Sequence, residues 1–272
     1  MTLVTGTADE RRTRLLELVR GRGFASLPEL AHAFDVSEST IRRDLDALEE
    51  TGSTKRTHGG VFYTGPAMQV PRFQSRQSGQ WPQKRRIARR AAELIEDADT
   101  ILLDGGSTTY ELARVLLGRP LQVVTNSLPV AELFASDPVT DLVLLGGYVH
   151  PRTGVSLGPY ATEMLRKLNV RRAVISVSGV AGSALYNSNL LLVETEQAMM
   201  DCADEVILLA DSSKFGKRSL ARLADVGQVH TIVSDEGLAP AWRDRLTAAG
   251  VRVLIADEAA NGAADDPGPD GP

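Results

Sequence analysis

The sequence predicts an α/β protein built from two unequal domains, a small helix-turn-helix unit with a wing and a larger parallel-sheet domain. Three observations carry that prediction. Apolar runs alternate with helical segments from Trp81 onward, two tightly joined helices with good N-caps lie near the start, and a stretch without periodicity separates the two patterns. The boundaries drawn are 1–65 for the N-terminal domain, 66–80 for a linker, 81–257 for the α/β domain and 258–272 for an acidic tail. A chain of 272 residues is long enough for this division, and its 43% hydrophobic fraction suits a globular protein with a real core.

The first helix is expected from about Glu10 to Arg20, with Leu15, Leu16, Leu18 and Val19 on its apolar face, and "GRG" ends it. Ser26 and Glu29 have the spacing of a capping box, so a second helix starts there and buries Leu30, Ala33 and Phe34. After "DV", Ser37 caps a third helix whose apolar positions Ile41, Leu45 and Leu48 repeat at helical spacing. Two helices joined this closely fit a helix-turn-helix, and "TGSTKRTHGGVFY" reads as a two-stranded wing. Pro71, Ser75, Ser78 and Gly79 mark the linker. The seven runs "TILLD", "LQVVT", "DLVLLGG", "AVISVS", "EVILLAD", "TIVSD" and "VRVLIAD" are apolar throughout, as strands covered on both faces must be, with helices such as Thr108 to Leu117 and Glu194 to Cys202 between them. The closing "DEAANGAADDPGPDGP" has the composition of a disordered tail.

Charge and cysteine content narrow the function classes. The net charge of −5 gives no global sign of nucleic-acid binding, yet Arg72, Arg76, Lys84, Arg85, Arg86, Arg89 and Arg90 form a cationic segment without an acid between Val61 and Arg90. No apolar run approaches the roughly 20 residues that span a bilayer, and the N-terminus lacks the basic and apolar regions of a secretory signal, so a cytoplasmic protein is expected. Cys202 stands alone, which excludes an internal disulfide and a CxxC site. No metal or cofactor is expected.

The third helix sorts its charges along its length. With Ile41, Leu45 and Leu48 facing inward, Ser39, Thr40, Arg42 and Arg43 lie on the flanks and far side of the first turns, and Asp46, Glu49 and Glu50 follow. That order suits a recognition helix, whose N-terminal residues enter the major groove, where arginine grips guanine with a bidentate fork. Ser37 and Thr40 are placed to donate to phosphates. In a solvated helix the same arginines would merely pair with Glu38, Asp44 or Asp46.

The run Arg11, Leu15, Val19, Ser37, Thr40, Ile41, Arg42, Arg43, Asp44, Leu45 resembles the helix-turn-helix signature of DeoR-type bacterial transcription regulators, and "THGG" at Thr57 to Gly60 resembles the end of their wing. The resemblance implies that Thr40, Arg42 and Arg43 face DNA, with Arg56 and His58 near its backbone. Within the wing, "GSTK" stands where the family has apolar residues after the glycine. His58 has no second His, Cys or carboxylate at ligand spacing, so it reads as a polar wing residue.

In the larger domain, "LLDGGSTTYELA" places Asp104 at a strand end, then a Gly-rich turn, then a helix. Backbone N–H groups at such a helix start, with the hydroxyls of Ser107, Thr108 and Thr109, suit a phosphate. Neither a Walker A loop nor GxGxxG is present. Asn126 in "TNS", Gly146 and Gly147, Gly158, and "DSSKFG" with Lys214 punctuate other strand ends, where ligands of open α/β sheets bind. From Trp81 to Asp257 this order also resembles the sensor domain of the same family, related in fold to ribose-5-phosphate isomerase, glucosamine-6-phosphate deaminase and CoA transferases. The resemblance implies a phosphorylated sugar or related metabolite as effector, with Asp104, Gly106, Ser107, Thr108, Thr109, Asn126 and Lys214 as contacts and Gly147 beside them.

The middle segment departs from the family, with Ala184 and Leu185 where Gly-Leu is usual. Asn187, Ser188, Asn189, Glu194 and Glu196 either shape an effector pocket of their own or cap and solvate the following helix. An isomerase, deaminase or transferase is the alternative function, with Asp104, Glu194 and Asp211 as candidate bases, but none has a neighbouring His or paired carboxylate in the sequence. A sheet domain serving oligomerisation alone leaves the hydroxyl-rich strand ends unexplained. The expectation is therefore a repressor of a carbohydrate-utilisation operon, not an enzyme, binding double-stranded operator DNA as a homo-oligomer, dimer or tetramer, and relieved by a sugar phosphate.

Overall fold

The computed structural model describes residues 7–22, 24–57, 60–63 and 73–257. The chain divides into two compact units whose boundary in sequence falls between Val70 and Pro71.

The N-terminal unit contains α1 (Ala8–Arg22), β1 (Phe24–Ser26), α2 (Leu27–Phe34), α3 (Glu38–Glu50), β2 (Thr54–Thr57) and β3 (Gly60–Tyr63). Ser26 caps α2 in the expected box: its backbone N–H donates to Glu29 Oε2 at 2.9 Å, and the Glu29 N–H returns a bond to Ser26 Oγ at 3.4 Å. Asp35 ends α2 in the left-handed region at φ 52°, which lets α3 begin three residues later. The core joins Leu15 and Val19 of α1, Leu30 and Phe34 of α2, Ile41, Leu45 and Leu48 of α3, and Val61 of β3. Burying each such side chain is worth roughly 1.5–3 kcal/mol, which fixes the helices against one another. The wing differs from the expected two strands. A third, β1, pairs with β3 from Phe24↔Phe62 to Ser26↔Gly60, too short a strand to show alternation in sequence. Thr54, where an apolar residue is usual, is buried all the same.

The second unit opens with α4 (Phe73–Ser78) and α5 (Trp81–Ala92), followed by β4 (Thr100–Leu103), α6 (Ser107–Leu116), β5 (Gln122–Thr125), α7 (Leu128–Phe134), β6 (Asp141–Leu144), β7 (Tyr148–His150), β8 (Val155–Leu157), α8 (Pro159–Leu165) and β9 (Val170–Ser176). It continues through β10 (Gly179–Ala181), β11 (Ala184–Asn187), α9 (Leu190–Asp201), β12 (Ala203–Leu209), β13 (Ala221–Asp225), β14 (Thr231–Asp235), α10 (Pro240–Ala248) and β15 (Arg252–Ala256). All seven apolar runs pair in one parallel sheet of order β15, β14, β12, β9, β4, β5, β6. From β4 the chain moves outward one way to β5 and β6, and from β9 it moves the other way. The sheet therefore switches direction between β4 and β9, and the carboxyl ends of those two strands open a crevice that loops cannot fill. Ile87, Ala88 and Ala91 of α5 and Leu112, Ala113 and Leu116 of α6 cover the sheet beside Ile101, Leu103, Val123 and Val174.

The assignment of residues 66–80 to a linker needs correction over its second half. Residues 73–78 are helical, and Phe73 is tied in by its N–H to the Arg152 carbonyl at 2.9 Å and by an edge-on contact with the Tyr110 ring at 5.3 Å. A six-residue helix held by such tertiary contacts shows no periodicity of its own. His58, residues 64–72 and the tail 258–272 lie outside the described residues.

Candidate functional site

Helix α3 starts on Ser37, whose Oγ accepts from the Thr40 N–H at 3.3 Å and meets Ser39 Oγ at 2.8 Å and Thr40 Oγ1 at 3.0 Å. Ser37 and Ser39 are exposed, as are Arg42 and Arg43, and Thr40 is half-buried. Arg42 makes an exposed pair with Glu38 at 3.5 Å, and Arg43 makes no ion pair among the described residues. Asp44 instead turns inward and receives Arg11 Nε at 2.6 Å and Arg12 Nε at 3.2 Å. Arg56, on β2, ion-pairs with Asp46. The exposed end of α3 thus presents hydroxyls and guanidiniums, and the acids behind it are partly taken up by the wing.

In the second unit a cleft of about 230 Å³ lies at the switch point and is lined by Asp104, Gly106, Ser107, Thr108 and Lys214 of the expected set. Asp104 is its structural hinge. Its carboxylate accepts the Gly106 N–H at 2.9 Å, the Ser176 N–H at 2.7 Å and the Ser176 hydroxyl at 2.9 Å, binding the ends of β4 and β9 together. Burial pushes its pKa up, against those hydrogen bonds. Gly106 has no room for a side chain, since a Cβ there would lie 1.8 Å from Ser176 Oγ. Ser107 and Thr108 open α6, so its N-terminal dipole faces the cleft. Lys214 ends a short helical turn capped by Asp211, whose Oδ1 accepts the Ser213 N–H at 3.1 Å.

Three expected contacts sit behind the lining. Thr109 and Asn126 are fully buried, and Asn126 Nδ2 donates to the Ser156 carbonyl at 3.0 Å. Gly147, at φ 147°, also adjoins β8, because a Cβ there would meet Ser156 Oγ at 2.7 Å. Asn126 and Gly147 hold β8 in place, and β8 contributes Val155 to the lining.

The structure brings further residues to the cleft that strand-end punctuation does not reveal, among them Arg76, Lys84, Ser176, Ser178, Asn187 and Glu196. The ammonium of Lys84 donates to the carbonyls of Arg76 and Gly79. Burial lowers its pKa to about 8, offset in part by Asp211. Asn187 receives the Ser178 hydroxyl on Oδ1 at 2.6 Å and donates to both Glu196 oxygens at 2.8 and 2.7 Å. Of the two readings of the segment after Ala184, lining the pocket holds for Asn187 and Glu196. Burial and then the Asp104 charge raise the Glu196 pKa well above the usual carboxylate value. Glu194 lies instead on a separate groove with Arg166 and Asp201.

A helix-turn-helix with a wing, followed by an α/β domain with a polar cleft at its switch point, defines a class: transcription regulators that join a DNA reader to a ligand sensor. The family models agree, matching a DeoR-like helix-turn-helix domain at residues 11–65 and the DeoR C terminal sensor domain at residues 80–236. The chain belongs to the DeoR family of DNA-binding transcription regulators, and it is a regulator and not an enzyme. An L-fucose operon activator of Haemophilus influenzae is 34% identical over 82% of this chain and 90% of its own. The glycerol-3-phosphate regulon repressor of Escherichia coli is 30% identical over 83% and 90%. A solved ribose-5-phosphate isomerase A of Methanocaldococcus jannaschii aligns with 48% of this chain, which spans about half (53%) of that one, at 20% identity and a TM-score of 0.35. Among the described residues, no helix is long and apolar enough to cross a membrane.

Proposed function

We propose that the protein is a cytoplasmic repressor of a carbohydrate-utilisation operon, bound to its operator as a homo-oligomer and released by a phosphorylated sugar held in the cleft. The observation that carries this reading is the convergence of the α6 N-terminus, Ser107, Thr108 and the cations Lys84 and Lys214 on one cleft, in a chain that also carries an exposed Arg42 and Arg43 on a recognition helix. Helix N–H groups, hydroxyls and ammonium groups together match the oxygens and charge of a phosphate. The names of the relatives, which refer to an L-fucose operon and a glycerol-3-phosphate regulon, support a carbohydrate-derived effector. In this reading Ser37, Ser39 and Thr40 contact phosphates, Arg42 and Arg43 reach base edges, Arg56 and His58 lie along the backbone, and Thr109, Asn126 and Gly147 support the effector loops.

Release follows if the effector binds more tightly to the form of the protein with low operator affinity. The test is a mobility-shift titration on DNA upstream of the protein's own coding sequence, with and without a panel of sugar phosphates. A shifted band that one of them dissolves is expected. Arg43→Ala is expected to lose discrimination between operator and random DNA by about 1–3 kcal/mol, and Lys214→Ala to keep the shift but need more effector. Equal affinity for operator and random DNA in the wild type at fixed salt rejects the operator reading. An effector response unchanged by Lys214→Ala rejects the role given to that lysine.

A further inference from the structure

The cleft contains a strong donor that the fold does not use. Arg76 of α4 lines it, and the Nε and Nη2 groups of its guanidinium are shut off from solvent without a hydrogen-bond partner. These two N–H groups lie along one edge of the planar group and point in parallel, the fork that grips two oxygens at once. Acidic groups are near, but they are engaged elsewhere: Asp104 by Gly106 and Ser176, and Glu196 by Asn187. Burial is the main influence on the guanidinium, lowering its pKa, and the charges of Asp104 and Glu196 offset part of that effect. Two further contacts hold the side chain and its backbone in place. The guanidinium lies over the Phe73 ring at 5.7 Å, and Lys84 ties down the carbonyls of Arg76 and Gly79.

We propose that Arg76 is a direct effector ligand, its Nε and Nη2 edge taking two oxygens of the bound sugar phosphate. This rests on the reading of the cleft as the effector site. Arg76 precedes the residues matched by the sensor-domain model, which begin at 80. The effector is therefore read partly by the first helix after the stretch that joins the two units in sequence. That gives a bound ligand a direct hold on the segment leading back to the DNA-binding domain.

The experiment is calorimetric titration of full-length wild type, Arg76→Lys, Arg76→Gln and Lys214→Ala with inorganic phosphate, glycerol 3-phosphate, ribose 5-phosphate and hexose 6-phosphates, each variant first shown to be folded by circular dichroism. Losing two charge-assisted bonds is expected to weaken the best ligand at least about tenfold in Arg76→Lys as well as in Arg76→Gln, because an ammonium keeps the charge but not the fork. A parallel loss for inorganic phosphate places the fork on the phosphoryl group, and a loss confined to the sugar phosphates places it on the carbohydrate end; either supports the proposal. Wild-type affinity in Arg76→Lys overturns it, and a weakened Lys214→Ala in the same series leaves the cleft standing as the site. If no probe binds the wild type, or if binding is unchanged in every variant, the cleft reading fails and the proposal with it.

Discussion

Asp44 shows how much one side chain of α3, the proposed recognition helix, does for the fold itself. It is 2% exposed and takes three bonds from α1: Arg11 Nε at 2.6 Å, Arg11 Nη2 at 3.2 Å and Arg12 Nε at 3.2 Å. Its removal leaves Arg11, whose side chain is only 16% exposed, without a counter-charge. Fully buried pairs lose about 3–5 kcal/mol when one partner goes and exposed pairs under about 1, so Asp44→Ala is expected to cost about 2 kcal/mol in urea unfolding. Arg42→Ala, which breaks only the exposed contact with Glu38, is the control and should stay within about 0.5 kcal/mol. Equal effects of the two would contradict the structural role of Asp44. Part of this was legible in the sequence. Three residues after Ile41 and one before Leu45, Asp44 falls on the same helical face as the apolar stripe. Its partners, more than thirty residues earlier, depend on how α1 packs against α3, and no local pattern encodes that.

At the scale of elements, what could be read depended on length and burial. Every strand of the parallel sheet was visible because each carries an apolar run, largely buried in the inner strands and only half-buried or exposed in the edge strand β6. The three-residue strands β1, β7, β8 and β10 were not, and neither was α4, which owes its place to Phe73 and Lys84. The candidate site divides the same way. Asp104, Gly106, Ser107, Thr108 and Lys214 follow strands that announce themselves, whereas Arg76 and Lys84 come from helices brought in by tertiary contacts, and Asn187 and Glu196 from a segment with two open readings. The turn from β4 into α6 is the tightest of these junctions. A Cβ at Gly106 would sit 1.8 Å from Ser176 Oγ and 2.6 Å from its Cβ, so Gly106→Ala must push apart the ends of β4 and β9 and disturb the Asp104 bonds. The expected result is a loss of roughly 1–3 kcal/mol in stability, as for other overpacked sites, together with lost effector binding. Gly227→Ala, where the nearest contact would be an ordinary 3.7 Å, should leave both unchanged. Thermal melts and effector titrations of the two variants check this, and normal binding by Gly106→Ala would show that the junction has more slack than its geometry allows.

For the whole molecule the governing fact is charge. A net charge of −5 opposes DNA, and the contacts proposed for it lie at the start of α3 and on the wing. One short helix reads only a few base pairs, so in the proposed homo-oligomer operator affinity is expected to come from two half-sites engaged at once, each through its own copy of the chain. Half-sites must then lie on one face of the duplex, about 10–10.5 base pairs apart or a multiple of that. Inserting about 5 base pairs between them turns one half-site to the opposite face, and affinity is expected to fall at least about tenfold. Inserting about 10 restores the phase, so part of the affinity should return. Fluorescence anisotropy at constant salt, on the footprinted operator and its two insertions, measures the three affinities. A monotonic decline with spacer length points to a flexible tether that ignores helical phase. Equal affinities for all three mean that a single recognition helix binds alone, and the oligomeric operator complex would have to be given up.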